Sequence, residues 1–302
     1  MARRNEDART KGFGMRRLKS IILGWIYHVS ASLPPQLSVW LVNRSLPWGR
    51  PVLDYLEFHL ADHCNLNCAG CTHFSPFADH RFADLEGTRR DFARLKEIFS
   101  NIRHIRIMGG EPLLNPECAQ FVKLVRDAFP RSKVRLVTNG IKLLDETDEN
   151  VKRALDAMRE AKVGLDWTCY PPVAGRRDVI CRRCSDAGVD LRITENGEFM
   201  VRMRPKGDSD PKATFRWCRR NFYCPVLDSG RIYICAQVCY ARYYNRAAGT
   251  ALASDDGVDI YTASAREVLR YLMRPSKACA FCDAGARHFA WKGNAKPEDW
   301  LR

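Results

Sequence analysis

An α/β fold on a parallel sheet is the class the 302-residue sequence predicts, and two observations carry it. Between residues 55 and 194, five short runs rich in β-branched and aromatic residues alternate with four stretches whose apolar positions recur every three or four residues. The runs also end in polar or glycine-rich segments, as strands do when their carboxyl ends gather at one rim. Pattern alone leaves two architectures open, an open doubly wound sheet and part of a barrel.

Each element has a local cause. Pro34, Pro35 and Pro47 interrupt any helix in residues 33–51. The run 56–60 is the first strand and points into a loop holding Cys64, Cys68 and Cys71. Phe92, Leu95, Phe99 and Ile102 predict an amphipathic helix over 88–102, followed by a strand over 105–108 that runs into Gly109-Gly110-Glu111-Pro112. Asn115 before Pro116 reads as a cap and first-turn pair, and the apolar face Phe121, Leu124, Val125, Ala128 stops at Pro130. A strand over 134–137 ends in Thr138-Asn139-Gly140. Val151, Ala154, Leu155 and Met158 give the next helix, and 163–167 the next strand. A helix over 179–187 closes at Gly188, a residue suited to the left-handed terminator, before a strand over 189–193.

Past about residue 196 this rhythm fades and cysteines return at 218, 224, 235, 239, 279 and 282. The stretch reads as a smaller unit with little apolar core, in which metal replaces missing hydrophobic burial. Asp228-Ser229-Gly230 predicts a hairpin turn into a strand that delivers Cys235. The expected organisation is a basic arm with an amphipathic helix over 1–50, a βα core over 51–205 and a cysteine-bearing unit over 206–302, with Trp291 and Trp300 marking a docking tail.

Composition bounds the function. The net charge is +14, of which residues 1–19 supply +5 (seven Lys/Arg against two acids) and the remainder +9. Such a field favours phosphate-bearing ligands, RNA or an anionic membrane surface, and equally describes an ordinary solvated basic surface. The basic residues are not interleaved with aromatics in a groove-like pattern, which counts against nucleic acid. No run reaches the ~18 apolar residues of a membrane span. In the arm, a basic run, an apolar stretch 21–29 and Ser30-Ala31 follow the order of a signal peptide. The same residues also make an amphipathic helix on Ile22, Trp25, Ile26 and Val29, which packs on the core or makes weak contact with a membrane surface. Core packing is the reading adopted. Thirteen cysteines in close pairs and triplets suit metals in a reducing compartment better than disulfides, so the expected location is cytoplasmic.

Cys64-x3-Cys68-x2-Cys71 brings three thiolates together and leaves a fourth ligand position to another molecule. On spacing alone, a zinc-binding fragment is the alternative. With the strand before it and Gly-Gly-Glu-Pro after the next strand, the pattern over about 53–195 resembles the radical S-adenosylmethionine (SAM) superfamily. That resemblance implies a partial (β/α)6 TIM-type barrel, a 4Fe-4S cluster on Cys64, Cys68 and Cys71, and SAM chelating the open iron. It also implies reductive cleavage to a 5′-deoxyadenosyl radical that takes hydrogen from a small-molecule substrate, with electrons from a cytosolic low-potential donor. Gly109, Gly110, Glu111 and Pro112 match the segment that holds the SAM amino group; two glycines permit a close backbone approach and Glu111 complements an ammonium. Thr138 and Asn139 match polar contacts at the next strand end, and Thr168 and residues 192–195 more faintly. Many relatives carry an aromatic residue where this chain has Gly70, and Phe74 is the substitute considered.

Cys218, Cys235, Cys279 and Cys282, with Gly230 between the first two, resemble the twitch domain, a shortened relative of SPASM, which implies a small C-terminal iron–sulfur domain with an auxiliary 4Fe-4S cluster for electron transfer. Zinc is the alternative there. Cys224 and Cys239 fit no slot of that pattern, and Cys181-x2-Cys184, on a predicted helix with Cys169 some distance back, reads as ordinary buried cysteines. His73 is either a cluster or substrate contact or a packed ring; Arg216, Arg219 and Arg220 are either an anion clamp or a solvated turn. The resemblance favours an anionic or sugar-like substrate: a carbohydrate, aminocyclitol or sugar nucleotide. Peptide modification and a non-catalytic metal-binding or electron-transfer protein are the alternatives.

Overall fold

The computed structural model describes Leu37, Leu41 and residues 50–221, 223–252 and 257–301. The helix on Ile22, Trp25, Ile26 and Val29, the proline-marked turns and the signal-like order of the arm lie outside the described residues. Five strands run parallel in the order of the chain: β1 (Val52–Ala61), β2 (Asn101–Gly109), β3 (Lys133–Thr138), β4 (Gly164–Cys169) and β5 (Leu191–Glu195). Between them lie α1 (Leu85–Ile98), α2 (Cys118–Ala128), α3 (Glu149–Glu160) and α4 (Arg177–Asp186). The expected βα core is therefore present.

Three local details differ from expectation. α1 begins at Leu85, because Asp84 caps it by accepting from the amides of Glu86 and Gly87. It ends at Ile98, so Phe99 is its extended cap and Ile102 belongs to β2, although both stay buried in the same core. The next helix starts at Cys118 with Glu117 at the cap position; Asn115 instead accepts from the Glu117 amide and donates to the Leu60 carbonyl at 2.8 Å, tying the loop to β1.

One face of the sheet is apolar. Leu56, Phe58 and Leu60 of β1, Ile105 and Ile107 of β2, Leu136 of β3 and Leu165 and Trp167 of β4 bury against the helices. The alternate residues face the other way. There Asp166 pairs with Arg106 at 2.7 Å and with Arg135, which also reaches Asp190, so an ion-pair ladder crosses β2, β3 and β4.

The sheet does not stop at β5. A parallel strand β7 (Val226–Asp228) adds to the free edge of β1, followed by antiparallel β8 (Arg231–Tyr233) and β9 (Val258–Asp259), giving the order β5-β4-β3-β2-β1-β7-β8-β9. β6 (Glu198–Met203) does not join this sheet but pairs antiparallel with β10 (Cys282–Ala290). The β7–β8 hairpin turns on Ser229 and Gly230, both at positive φ (49° and 76°), as a two-residue primed turn requires.

The expectation of little apolar core past residue 196 does not hold. Three more helices, α5 (Pro211–Asn221), α6 (Ala236–Ala248) and α7 (Ala265–Leu272), belong to this stretch. Leu227, Ile232, Ile260, Val268, Leu269 and Leu272 join the main core, and a second cluster gathers Tyr240, Tyr243, Tyr244 and Trp300 around Phe74. The sequence hides this because the aromatics of α6 sit among charged residues with little β-branched patterning.

Candidate functional site

The three cysteines of the loop after β1 line one cleft of about 140 Å³ at the carboxyl rim of the sheet, together with Gly109 and Gly110, Thr138 and Asn139, and Thr168. The loops converge because their backbones are stitched together. The amide of Gly110 donates to the Ala61 carbonyl at 2.8 Å and that of Glu111 to the His63 carbonyl at 3.1 Å, so β2 continues to pair with β1 past the sheet proper. No side chain fits in that seam. A Cβ on Gly109 would lie 2.2 Å from the Ala61 oxygen, and one on Gly110 would lie 2.0 Å from the His63 oxygen.

Glu111 and Pro112 stand behind the cleft wall rather than in it. The Glu111 side chain is fully buried; Oε1 accepts from the Leu113 amide (3.0 Å) and Thr138 Oγ1 (2.8 Å), and Oε2 from the Asn139 amide (2.9 Å). Three of the roughly four acceptor positions of a carboxylate are thus taken by protein donors. Burial raises its pKa to about 7 against the pull of those donors. As placed, Glu111 braces the loop after β2 to the loop after β3. Asn139, held by this brace, extends Nδ2 to Asn65 Oδ1 at 2.7 Å and to Cys64 Sγ at 3.4 Å.

The thiols are set for ligation. Burial pushes all three upward in pKa, Cys68 to about 11. They stay thiols in isolation, and a bound cation would be needed to draw off their protons. Among the described residues no three His, Cys, Asp or Glu side chains converge as ligands of a single metal ion. The cleft instead offers three soft thiol donors with no carboxylate in its lining, a donor set that fits an iron–sulfur cluster.

Sequence reasoning did not place four aromatic residues at this loop and cleft. Trp291 donates Nε1–H to Cys68 Sγ at 3.1 Å, and Trp300 donates to the Cys71 carbonyl at 2.8 Å. The Ala69 amide meets the Lys292 carbonyl at 2.9 Å, so the tail expected to dock does so on the cysteine loop of its own chain. Tyr170 and Phe199, stacked with centroids 5.7 Å apart, form the cleft's aromatic wall. Phe74 does not substitute for an aromatic residue at position 70: it is 1% exposed and packs on Tyr244 and Trp300. Gly70 has φ 73°, and a Cβ there would meet the Phe289 ring at 2.9 Å, so the positive φ and the close ring both favour glycine. Alternation of Phe199 with Val201 in β6, and of Phe289 with Trp291 at the end of β10, was the signal available.

Thr168 lines the cleft; residues 192–195 do not, and Glu195 pairs with Arg177 outside it. His73 lines the cleft with its ring edge-on to His59 at 4.8 Å, and burial lowers its pKa to about 4.

The second cysteine set comes from three elements. Cys218 lies on α5, Cys235 is the N-cap residue of α6, and Cys279 and Cys282 flank the end of a 3-10 turn (Lys277–Phe281). Cys235 and Cys279 border the same small core of Phe215, Ile234, Val238 and Ala278. Burial raises the Cys282 thiol to about 12, and the nearby Cys279 and Cys218 add to the rise. Cys239, one turn past Cys235 on α6, is buried in the tyrosine cluster, and Cys224 neighbours Tyr55 of β1. Cys184 is buried as expected and so is Cys169, but Cys181, the pair mate of Cys184, is only half-buried on α4.

Comparison with known proteins decides the class of the first site. Residues 59–188, from the end of β1 through α4, match the profile of the radical SAM superfamily. This segment is similar to a radical SAM domain. An enzyme core of this kind uses a 4Fe-4S cluster and SAM, and the three-thiol cleft fits the first of these. GTP 3′,8-cyclase of Sulfurimonas denitrificans is 33% identical over 124 residues, 41% of this chain and 37% of that protein. GTP 3′,8-cyclase of Sulfurovum sp. is 32% identical over 167 residues, 54% of this chain and 49% of that protein. The chain thus spans less than half the length of these curated relatives. Among solved structures, that of BtrN in complex with AdoMet and 2-DOIA is 14% identical with a TM-score of 0.47, covering 77% of this chain and 94% of that one. No helix among the described residues is long and apolar enough to cross a membrane.

Proposed function

We propose that this chain is a cytoplasmic radical SAM enzyme that acts on an anionic, sugar-bearing small molecule of the nucleotide or sugar-nucleotide class. The single observation that supports the first half most directly is the meeting of Cys64, Cys68 and Cys71 with the bare Gly109–Gly110 backbone in one cleft. When bound, the cluster and SAM supply a 5′-deoxyadenosyl radical by reductive cleavage, and the electron comes from a low-potential donor. The chain's own residues do the rest. Cys64, Cys68 and Cys71 hold the cluster, Gly109 and Gly110 admit the SAM backbone, and Thr138 and Asn139 orient its polar end. Glu111 and Pro112 fix those loops from behind. Tyr170 and Phe199 keep water from the cleft, where side reactions would quench a radical.

The nucleotide class is supported by the names of the curated relatives and by the net charge of +14. Cys218, Cys235, Cys279 and Cys282 are proposed to hold an auxiliary 4Fe-4S cluster, with residues 206–302 as a twitch-like unit on the core of 51–205. Arg202, whose guanidinium lies 4.3 Å over the Trp217 ring and beside Cys282, is the cation proposed to favour an anionic substrate there.

Anaerobic reconstitution followed by dithionite and SAM tests the first proposal. 5′-Deoxyadenosine is expected from the wild type and not from Cys64→Ala. If none forms and SAM leaves the cluster's electron paramagnetic resonance signal unchanged, the enzyme reading falls. Iron analysis tests the second: about eight irons in the wild type and about four in Cys218→Ala/Cys282→Ala are expected for two cubanes. About four irons with one zinc in the wild type would make the second site a zinc site.

A further inference from the structure

A larger cavity of about 430 Å³ opens on the other side of β1, where β1 and β7 lie side by side as parallel strands and their connections leave in opposite directions. Crevices at the carboxyl ends of strands at such a switch point are where open α/β sheets bind ligands. The volume is within the range of small-molecule sites, about 300–1,000 Å³.

Its lips and floor have different chemistry. Phe82 and Tyr261, 41% and 48% exposed, are two of the four large hydrophobic side chains left exposed among the described residues, and both border this cavity. Tyr261 is fixed in place despite its exposure. Its hydroxyl donates to Asp91 Oδ1 at 2.6 Å, Asp91 Oδ2 accepts from the Gly230 amide at 2.9 Å, and a Cβ on Gly230 would meet the Tyr261 ring at 2.9 Å. The floor carries Arg81 and Asp228, paired at 2.5 Å, while Arg90 stands at the rim. The His59 ring closes the back wall; it is 7% exposed and its Nε2 has no hydrogen-bond partner. On its other side His59 touches His73, so the cavity shares a wall with the cysteine cleft.

We propose that this cavity binds a glycosyl ring. A pyranose has apolar C–H faces and a rim of hydroxyls that both donate and accept. Aromatic lips meet the faces, while planar carboxylate and guanidinium groups meet the hydroxyls. A ligand that was only an anion would meet Asp84, Asp91 and Asp228 as well as the arginines, and the first-turn amides of α1 are already taken by Asp84. The site is separate from the three thiols, and its occupancy needs neither cluster nor SAM.

Saturation-transfer difference NMR on the full chain tests this, with methyl pyranosides of the gluco, galacto, manno and 2-amino-2-deoxygluco series as probes. Transfer to ring protons is expected for at least one probe. Its affinity should weaken about five- to ten-fold in Phe82→Ala, an exposed position where folding is little affected, and further in Phe82→Ala/Tyr261→Ala. Phe199→Ala, in the cysteine cleft, should leave it unchanged. Absence of transfer from every probe overturns the proposal. So does binding that survives the double variant, or binding lost in Phe199→Ala, which would place the ring in the cleft. A change of oligomeric state in the double variant without loss of probe binding would make the aromatic lips a protein contact and equally overturn it.

Discussion

The two cysteine sets differ in how they are built. Cys64, Cys68 and Cys71 share one loop whose shape is dictated by backbone pairing between the ends of β1 and β2, with Glu111 as a buried brace behind it. Cys218, Cys235, Cys279 and Cys282 come from a helix, a helix cap and a turn, and two of them, Cys235 and Cys279, are packed on the small core of Phe215, Ile234, Val238 and Ala278. The first site is a property of main-chain geometry and the second of side-chain packing. The first should therefore fail at glycine substitutions and resist changes in the surrounding core, while the second should show the reverse.

The largest expected effect is at the seam. Gly110→Ala forces a Cβ into the His63 carbonyl and should destabilise the chain by about 3 kcal/mol or more, whereas Gly197→Ala, with nothing within 4 Å, should be nearly neutral. Thermal unfolding of the two variants side by side measures this. Next is the brace. Glu111→Ala leaves the Thr138 hydroxyl and the Leu113 and Asn139 amides without their acceptor, at a cost of about 2–4 kcal/mol. Its urea midpoint should fall well below that of Glu111→Gln, which keeps an acceptor.

A pH effect of a few kcal/mol comes from Glu57, buried beneath His59 with Tyr55 donating to it at 2.8 Å. Burial raises its pKa to about 7, so the folded state holds a proton that the unfolded state releases. Stability is greatest below about pH 4.5 on this account and declines as pH rises through about 7; Glu57→Gln should flatten that decline in denaturant titrations. The smallest effect separates the sites most cleanly. Trp291→Phe removes the N–H···S contact with Cys68 for about 1 kcal/mol of stability. It should shift the reduction potential and absorption of the first cluster while leaving those of the second in place.

The same contrast explains what the sequence disclosed. Strands and helices through residue 195 are legible because apolar residues such as Leu56, Phe58 and Phe121 report which face meets the core. The glycine seam is legible because two adjacent glycines at a strand end are hard to explain otherwise. Glu111 was legible as a polar residue in the right place but not as a brace, since its three donors come from two different loops. Tyr170 and Phe199 were not legible as cleft residues, nor Trp291 as a partner of Cys68, because nothing local announces that β6 leaves the main sheet to pair with β10. The apolar core of α6 was hidden for a related reason: Tyr240, Tyr243 and Tyr244 look like surface residues until the sheet they cover is known.

The docked tail has a consequence for the order of events during synthesis. Trp300 reaches back 229 residues to the Cys71 carbonyl, and Trp291 reaches 223 to Cys68. At about 5–20 residues per second, the cysteine loop leaves the ribosome roughly 10 to 45 s before the segment that covers it. During that interval the three thiols lack both indole contacts and stand open to whatever delivers iron and sulfide. Loading of the first cluster is thereby given a window that closes when the segment carrying Trp291 and Trp300 settles on the loop.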